Sequence, residues 1–311
     1  MLYFLILTLL SFTESFSYGK VAVIGTNGNL GRIVVNELCK KKISTKILNI
    51  KKKSSKLINF NNDYHNIKII NGDVNNFNSI VELLEGVDTC IAVHSSKRKT
   101  KLIDLFKKNR NDLVHSVNVN YIGIKNIINA AKITKTKHII CVTENDEKPW
   151  SIPSIIINVI GSMCKGWNYV DECELRNSNI SYTIIRTGQM NYNIDYDMSL
   201  ILEDNGKFLP VSKISYNNIA KLCVDCIMHP NVKNTTLVAM TTTPGYGKSS
   251  WIPLLKKIDI DRKRYPNKLL TILKHYIGVS ILCGILISII SLIIKKIIYL
   301  PIIIYSKRII L

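Results

Sequence analysis

The sequence predicts an α/β fold, a doubly wound parallel sheet, followed by a C-terminal transmembrane helix. Three observations carry this. Short β-branched runs alternate with amphipathic helical stretches; the first run ends in a glycine-rich turn that opens a helix; and the C-terminal end holds a long uncharged apolar segment.

Taken in order, the strands read as Lys20–Ile24, Thr45–Ile50, Ile67–Ile70, Thr89–Val93, His138–Val142 and Tyr182–Ile185. Helices lie between most of them, at Leu30–Lys41, Phe77–Leu84, Val117–Lys132 and Ile160–Asn177. No internal repeat breaks the alternation. The globular part is expected over residues 18–243. Residues 244–275, with Gly, Pro, Ser and many charges, read as a linker.

Both chain ends carry apolar segments. Leu2–Phe12 is an apolar run, with small Ser15 and Ser17 ahead of Tyr18, so residues 1–17 read as a signal peptide or N-terminal anchor. That reading places the protein in the secretory pathway. From Tyr276 to Ile294 there are 19 residues without a charge, closed by Lys295 and Lys296, about the length that crosses a bilayer core. Residues 295–311 form a short basic and apolar tail. Basic residues flank both sides, so the positive-inside rule gives no orientation.

The formal net charge is +20, which raises an anionic membrane or nucleic acid as a partner. The Lys residues are scattered through every segment, and no aromatic-plus-basic motif accompanies them, so nucleic acid is not expected. The eight Cys do not form a disulfide framework. Cys90 and Cys141 fall in apolar strand runs, and Cys223 and Cys226 on a helical pattern without a nearby His pair, so no metal site is expected.

The first strand runs into Gly25-Thr26-Asn27-Gly28-Asn29-Leu30-Gly31. A tight turn needs Gly, backbone approach to phosphate needs absent side chains, and a helix N-terminus favours an anion. This pattern points to the pyrophosphate of a nicotinamide dinucleotide and to a Rossmann fold. The second strand ends in Asn49-Ile50-Lys51-Lys52-Lys53, with no carboxylate to hold ribose hydroxyls. Lys51 and Lys52 suit a 2′-phosphate, which favours NADP over NAD.

Further along come Gly72-Asp73-Val74, Leu84-Glu85-Gly86-Val87-Asp88, Asn120-Tyr121-Ile122-Gly123-Ile124-Lys125-Asn126 and Ser181-Tyr182-Thr183-Ile184-Ile185-Arg186-Thr187-Gly188. With the GxxGxxG turn, their order and spacing resemble the atypical short-chain dehydrogenase/reductase superfamily, in its NmrA-like branch. The resemblance covers roughly residues 20–240. It implies that Asp73 and Val74 border the adenine, that Val93 and His94 pass along the cofactor, and that Thr187–Gly188 lies near the nicotinamide. A likeness to plastid members raises a plastid-type organelle as a second location.

Reductases of this superfamily use a Tyr-xxx-Lys pair with a Ser or Thr as acid–base group. The string Tyr121 to Lys125 falls one helix too early in the order of elements. Counted back from the Ile184-Ile185-Arg186 strand, the pair falls on Gly166 and Val170, which cannot serve. Tyr169, Thr143 and His94 are the substitute candidates. The expected function is therefore a membrane-tethered NAD(P)-binding protein acting as redox sensor, scaffold or assembly factor, with a protein partner. The alternative is an NADPH-dependent oxidoreductase with a variant catalytic group.

Overall fold

The computed structural model describes residues 19–50, 66–96, 99–101, 112–144, 148–192, 198–207, 213–262 and 264–309. The expected signal segment and the lysines at 51–53 lie outside the described residues.

Strand β1 (Val21–Ile24) is buried at every position and leads into helix α1 (Asn29–Lys40). There follow β2 (Thr45–Asn49), β3 (Ile67–Asn71), α2 (Phe77–Leu84) and β4 (Thr89–Ala92). A π-helical turn at Val117–Ile122 runs into α3 (Gly123–Thr134), and β5 (His138–Glu144) closes this half. The second half holds α4 (Ile152–Ile160), α5 (Cys164–Arg176), β6 (Ser181–Thr187), β7 (Gln189–Asn191), β8 (Ser199–Glu203) and β9 (Lys213–Ser215). Then come α6 (Tyr216–Met228), β10 (Thr235–Thr242), α7 (Ile252–Leu255) and α8 (Lys268–Ile309).

Among the described residues, eight strands form one sheet in the order β3-β2-β1-β4-β5-β6-β10-β8. All pairings are parallel except β10 with β8 at the edge. Helices cover both faces, which is why strands such as Val21–Ile24 and Thr89–Ala92 read as unbroken apolar runs. On one face Val34, Val35 and Leu38 of α1 meet Leu222 and Cys223 of α6 over Val23, Ile47 and Ile140. On the other, Ile80, Leu83 and Leu84 of α2 meet Ile124, Ile127 and Ile128 of α3. Polar residues set the helix starts: Asn76 accepts from the Asn78 and Ser79 amides before α2, and Ser215 from the Asn218 amide before α6. The order reverses between β1 and β4, which opens a crevice beyond the carboxyl ends of these strands.

Three expectations are corrected. The helix read over Ile160–Asn177 begins only at Cys164, because Ile160 ends a separate helix, α4. Ser162 and Met163 both sit in the left-handed region, at φ 54° and 63°. Side chains hold the break: the Ser162 amide donates to Thr100 Oγ1 at 2.6 Å, and the Gly166 amide to Asn158 Oδ1 at 3.2 Å. The stretch 244–275, read as a linker, packs on the domain. Trp251, Leu255 and Ile258 are buried, and Trp251 Nε1 donates to the Asn218 carbonyl at 2.7 Å. Its charges lie on the solvated side, where Ile252 and Ile260 are also exposed.

The C-terminal helix is also longer than the uncharged segment. It begins at Lys268 and continues past Ile294, through Pro301, to Ile309. Thr271, His275 and Val279 are buried against α4 and α5, whereas nearly every residue from Ile281 to Ile297 is exposed. By length and composition, Lys268–Ile297 is a candidate membrane span.

Candidate dinucleotide site

A cavity of about 830 Å³ occupies the crevice. At its entrance Gly25 carries a φ of +98°, and a Cβ there would come 2.7 Å from the His94 amide. A Cβ on Gly31 would lie 2.3 Å from the Gly25 carbonyl oxygen. Both positions therefore exclude a side chain, the first between β1 and the β4 end, the second where α1 packs on its own turn. Gly28 precedes α1 with no side-chain cap, leaving the helix N-terminus open to an anion.

Neighbouring side chains brace the turn from beneath. The buried Thr26 hydroxyl donates to the Leu48 carbonyl at 2.6 Å, and Asn27 Oδ1 accepts from the Ile50 amide at 3.2 Å. The turn is thus fastened to the end of β2, where the adenosine half of a dinucleotide would lie. Asp73 Oδ1 accepts from both the backbone and the side chain of Asn75, each at 2.8 Å. The Asn126 amide nitrogen donates to the Val74 carbonyl at 2.9 Å, so α3 fixes the Asp73–Val74 corner.

The cavity lining brings together Gly25, Asn27, Gly28, Asn29, Leu30, Asp73, Val74, Val93, His94 and Thr143. Thr26 and Gly31 stand behind the turn, as its framework. Tyr169 is not brought there. Its hydroxyl donates to the Pro266 carbonyl at 2.8 Å, and burial pushes it above the usual tyrosine range.

Among the lining residues that sequence reasoning missed are Arg32, Asn168 and Asp171. Arg32, in the first turn of α1, is an exposed cation in the cavity wall. Its signal was the position directly after the third glycine. Asn168 accepts a short hydrogen bond from Asn120, whose Oδ1 also accepts from the Ser96 amide at 3.0 Å. The two asparagines tie α5 to the loop after β4.

The family described as NAD(P)H-binding matches residues 25–230. The chain belongs to that family. It is 25% identical over 253 residues to "Protein TIC 62, chloroplastic" of Pisum sativum, covering 75% of this chain and 45% of that protein. It is likewise 25% identical over 228 residues to "Photosystem II assembly factor Ycf39" of Trieres chinensis, covering 70% and 63%. The chain thus spans less than two thirds of either relative. Among solved structures, a short-chain dehydrogenase/reductase from Veillonella parvula in complex with NADP superposes with a TM-score of 0.56 at 12% identity. It covers 75% of this chain and 98% of that one, a likeness of fold.

The residues present fit the NAD(P)H that gives the family its name: an open helix N-terminus and two glycines where a Cβ would collide. A bound nicotinamide supplies hydride chemistry there. What this chain adds around it departs from the usual reductase. Gly166 and Val170, reached by counting, face α8: a Cβ on Gly166 would come 2.6 Å from Ile272 Cδ1, and Val170 packs with Val279. The cavity side of α5 instead presents Asn168 and Asp171. Neither one-turn pair on that side, Trp167 with Asp171 or Asn168 with Glu172, supplies Tyr and Lys. Tyr121 stacks on Trp167 with ring centroids 5.6 Å apart, and Lys125 lies 5.5 Å from the Tyr121 ring centre, so this pair is occupied in packing.

The remaining polar groups have defined states. Thr143 donates its hydroxyl to Glu172 Oε1 at 2.7 Å and is committed to that carboxylate. Burial would raise Glu172, but the Arg186 and Arg176 guanidiniums outweigh it and hold the carboxyl at about 2. Burial pushes the His94 imidazole down to about 4, against the opposing pull of Asp73 and a hydrogen bond to the Val119 main chain. His94 is therefore neutral at physiological pH, and its sealed Nδ1 has no hydrogen-bond partner among the described residues. Asp171 is only 6% exposed, and its Oδ1 has none either. Burial first, then the negative charges of Glu172 and Glu174, hold its carboxyl well above the usual carboxylate range.

A raised carboxyl costs stability once the unfolded chain ionises. Folding retains the proton, so this penalty grows as pH rises above about 3.8 toward the folded-state value. Asp171→Asn should therefore raise the melting temperature at pH 7–8, with the gain shrinking toward pH 4. A melt series across pH checks this.

Proposed function

We propose that this protein is a membrane-tethered NAD(P)-binding protein of the atypical short-chain dehydrogenase type, acting as redox sensor, scaffold or assembly factor. One observation carries the reading: an intact nucleotide turn opens a cavity whose α5 side holds Asn168 and Asp171 in place of a Tyr/Lys pair. A protein that binds the nucleotide and lacks the usual proton-transfer pair reports cofactor state or presents a surface. The likeness to a chloroplast protein and to a photosystem II assembly factor supports that role and a plastid-type membrane; entry through the secretory route rests on the apolar run Leu2–Phe12 alone. The full-length chain, purified in mild detergent with a panel of carbonyl and enone substrates, should hold NADPH without steady oxidation. Sustained turnover would overturn the sensor reading.

Tethering rests on α8. Carbonate washing should leave the full-length chain in the membrane pellet, and its release would remove the tether.

NADP is the favoured nucleotide. The β2 end offers Asn49 and Ile50 where an NAD site holds a carboxylate, and Arg32 adds a cation at the cavity wall. Arg32→Ala should weaken NADPH about tenfold or more, the worth of a charge-assisted hydrogen bond, while changing NADH much less. Titration of both nucleotides by thermal shift reads the difference; equal losses would assign Arg32 to the pyrophosphate and remove its support for NADP.

A second reading, an NADPH-dependent oxidoreductase with a variant group, is favoured by Asp171. Asp171 lines the cavity and its buried carboxyl keeps its proton, as a general acid requires. Steady NADPH oxidation that Asp171→Ala abolishes would support this reading over the first.

A further inference from the structure

The face of α4 turned away from α5 is exposed and apolar. Ile152 is 73% exposed, Ile156 45%, and Trp150, just before the helix, 49%. Spaced four residues apart, Ile152 and Ile156 share one side of α4, opposite the buried Ser154 and Asn158. Large exposed apolar residues grouped in this way mark a contact surface.

Where this patch sits is fixed by how α4 meets α8. His275 Nδ1 lies 2.9 Å from Asn158 Nδ2 near the end of α4. One turn on, a methyl on Gly278 would lie 3.3 Å from Ile155 Cγ1 and 3.6 Å from the Pro149 carbonyl oxygen. The two helices are therefore antiparallel, and the N-terminal end of α4 points the way α8 leaves the domain.

The uncharged stretch Tyr276–Ile294 is 19 residues, about 28 Å at 1.5 Å per residue, against a hydrocarbon core of about 30 Å. A bilayer that accepts this stretch begins near Tyr276. That is the level of Pro149 and Ile155. Tryptophan favours this interfacial depth, and Lys148 and Lys274 supply cations beside it for the headgroups.

We propose that the Trp150–Ile152–Ile156 shoulder of α4 is a second lipid contact, seated in the bilayer interface beside α8. It rests on the tethered reading above. The contact adds a second point of attachment to α8, and so fixes the domain's tilt on the membrane.

Tryptophan emission provides the test, because Trp167 and Trp251 are 6% and 2% exposed while Trp150 is half exposed. The full-length chain is reconstituted into phosphatidylcholine vesicles with ordinary or brominated acyl chains. Brominated lipid should dim the emission, Trp150→Phe should remove most of that loss, and Ile152→Asn with Ile156→Asn should reduce it. Unchanged emission in a carbonate-resistant chain overturns the shoulder and leaves the tether standing. Release of the chain by carbonate overturns both. Protection of Trp150 that tracks with a crosslinked dimer assigns the face to a second copy and overturns the lipid contact.

Discussion

Gly28→Asp should leave the free protein at least as stable as the unmutated chain and erase its stabilisation by NADPH. Gly28 precedes α1 at φ −90°, a conformation open to any residue, and its position lacks a side-chain cap. Asp is a preferred residue there, accepting hydrogen bonds from the helix amides, worth a few tenths of a kcal/mol over Gly. The same carboxylate lies where the pyrophosphate must sit, and claims the same amides. Ligand at about 100 times its dissociation constant stabilises by about 2.7 kcal/mol, and that increment should vanish. Melts with and without NADPH separate the two effects. A variant that loses stability without ligand, or keeps the NADPH shift, would contradict the assigned role of the turn.

Glu172→Gln should be among the most destabilising single changes in the domain. Glu172 Oε1 accepts from Arg186 Nε at 3.0 Å, and Oε2 from Arg176 Nη2 at 2.8 Å, with all three side chains no more than 8% exposed. Arg176 also stacks 3.5 Å from the Tyr265 ring centre. Removing the anion that bridges two buried cations strips most of their compensation, with Asp261 still 3.9 Å from Arg176 Nε, at a cost of about 3–5 kcal/mol. At about 2–4 °C per kcal/mol for a domain of this size, the melting temperature should fall by roughly 10 °C. The same carboxylate predicts acid sensitivity. Its folded value of about 2 lies below the usual 4.5, so its contribution is full above about pH 4.5 and is lost as pH falls toward 2. In Glu172→Gln that acid-dependent portion should flatten, which a pH series of melts detects.

The sheet's first half was legible because its signals are local. Residues Lys20–Gly31 encode strand, turn and helix start within one short stretch, and Phe77–Leu84 coincides with the observed helix. The break between α4 and α5 was not, because it is held by Thr100 and Ser116, distant in sequence. The packing of 244–262 was hidden for a related reason. Asp261 reads as a surface charge, yet it accepts from the Thr236 amide at 2.9 Å and from the Tyr182 hydroxyl at 3.0 Å. The cavity followed the same division. The glycine turn, Asp73 and His94 announced themselves by spacing after strands, whereas Asp171 became visible only once the rotation of α5 was known. Counting residues along a helix fixes distance from a strand, and a small error in that count turns Gly166 toward α8 and Asn168 toward the cavity.

On the reading proposed above, the Gly25–Gly31 turn holds a nicotinamide dinucleotide in a cavity without the usual catalytic pair. Titrating NADPH into the full-length chain while following both bound-nucleotide fluorescence and absorbance at the reduced-nicotinamide band tests it most directly. Saturable binding of one NADPH per chain, with absorbance constant over time, is the expected result. Absence of saturable binding of either NADPH or NADH would contradict it.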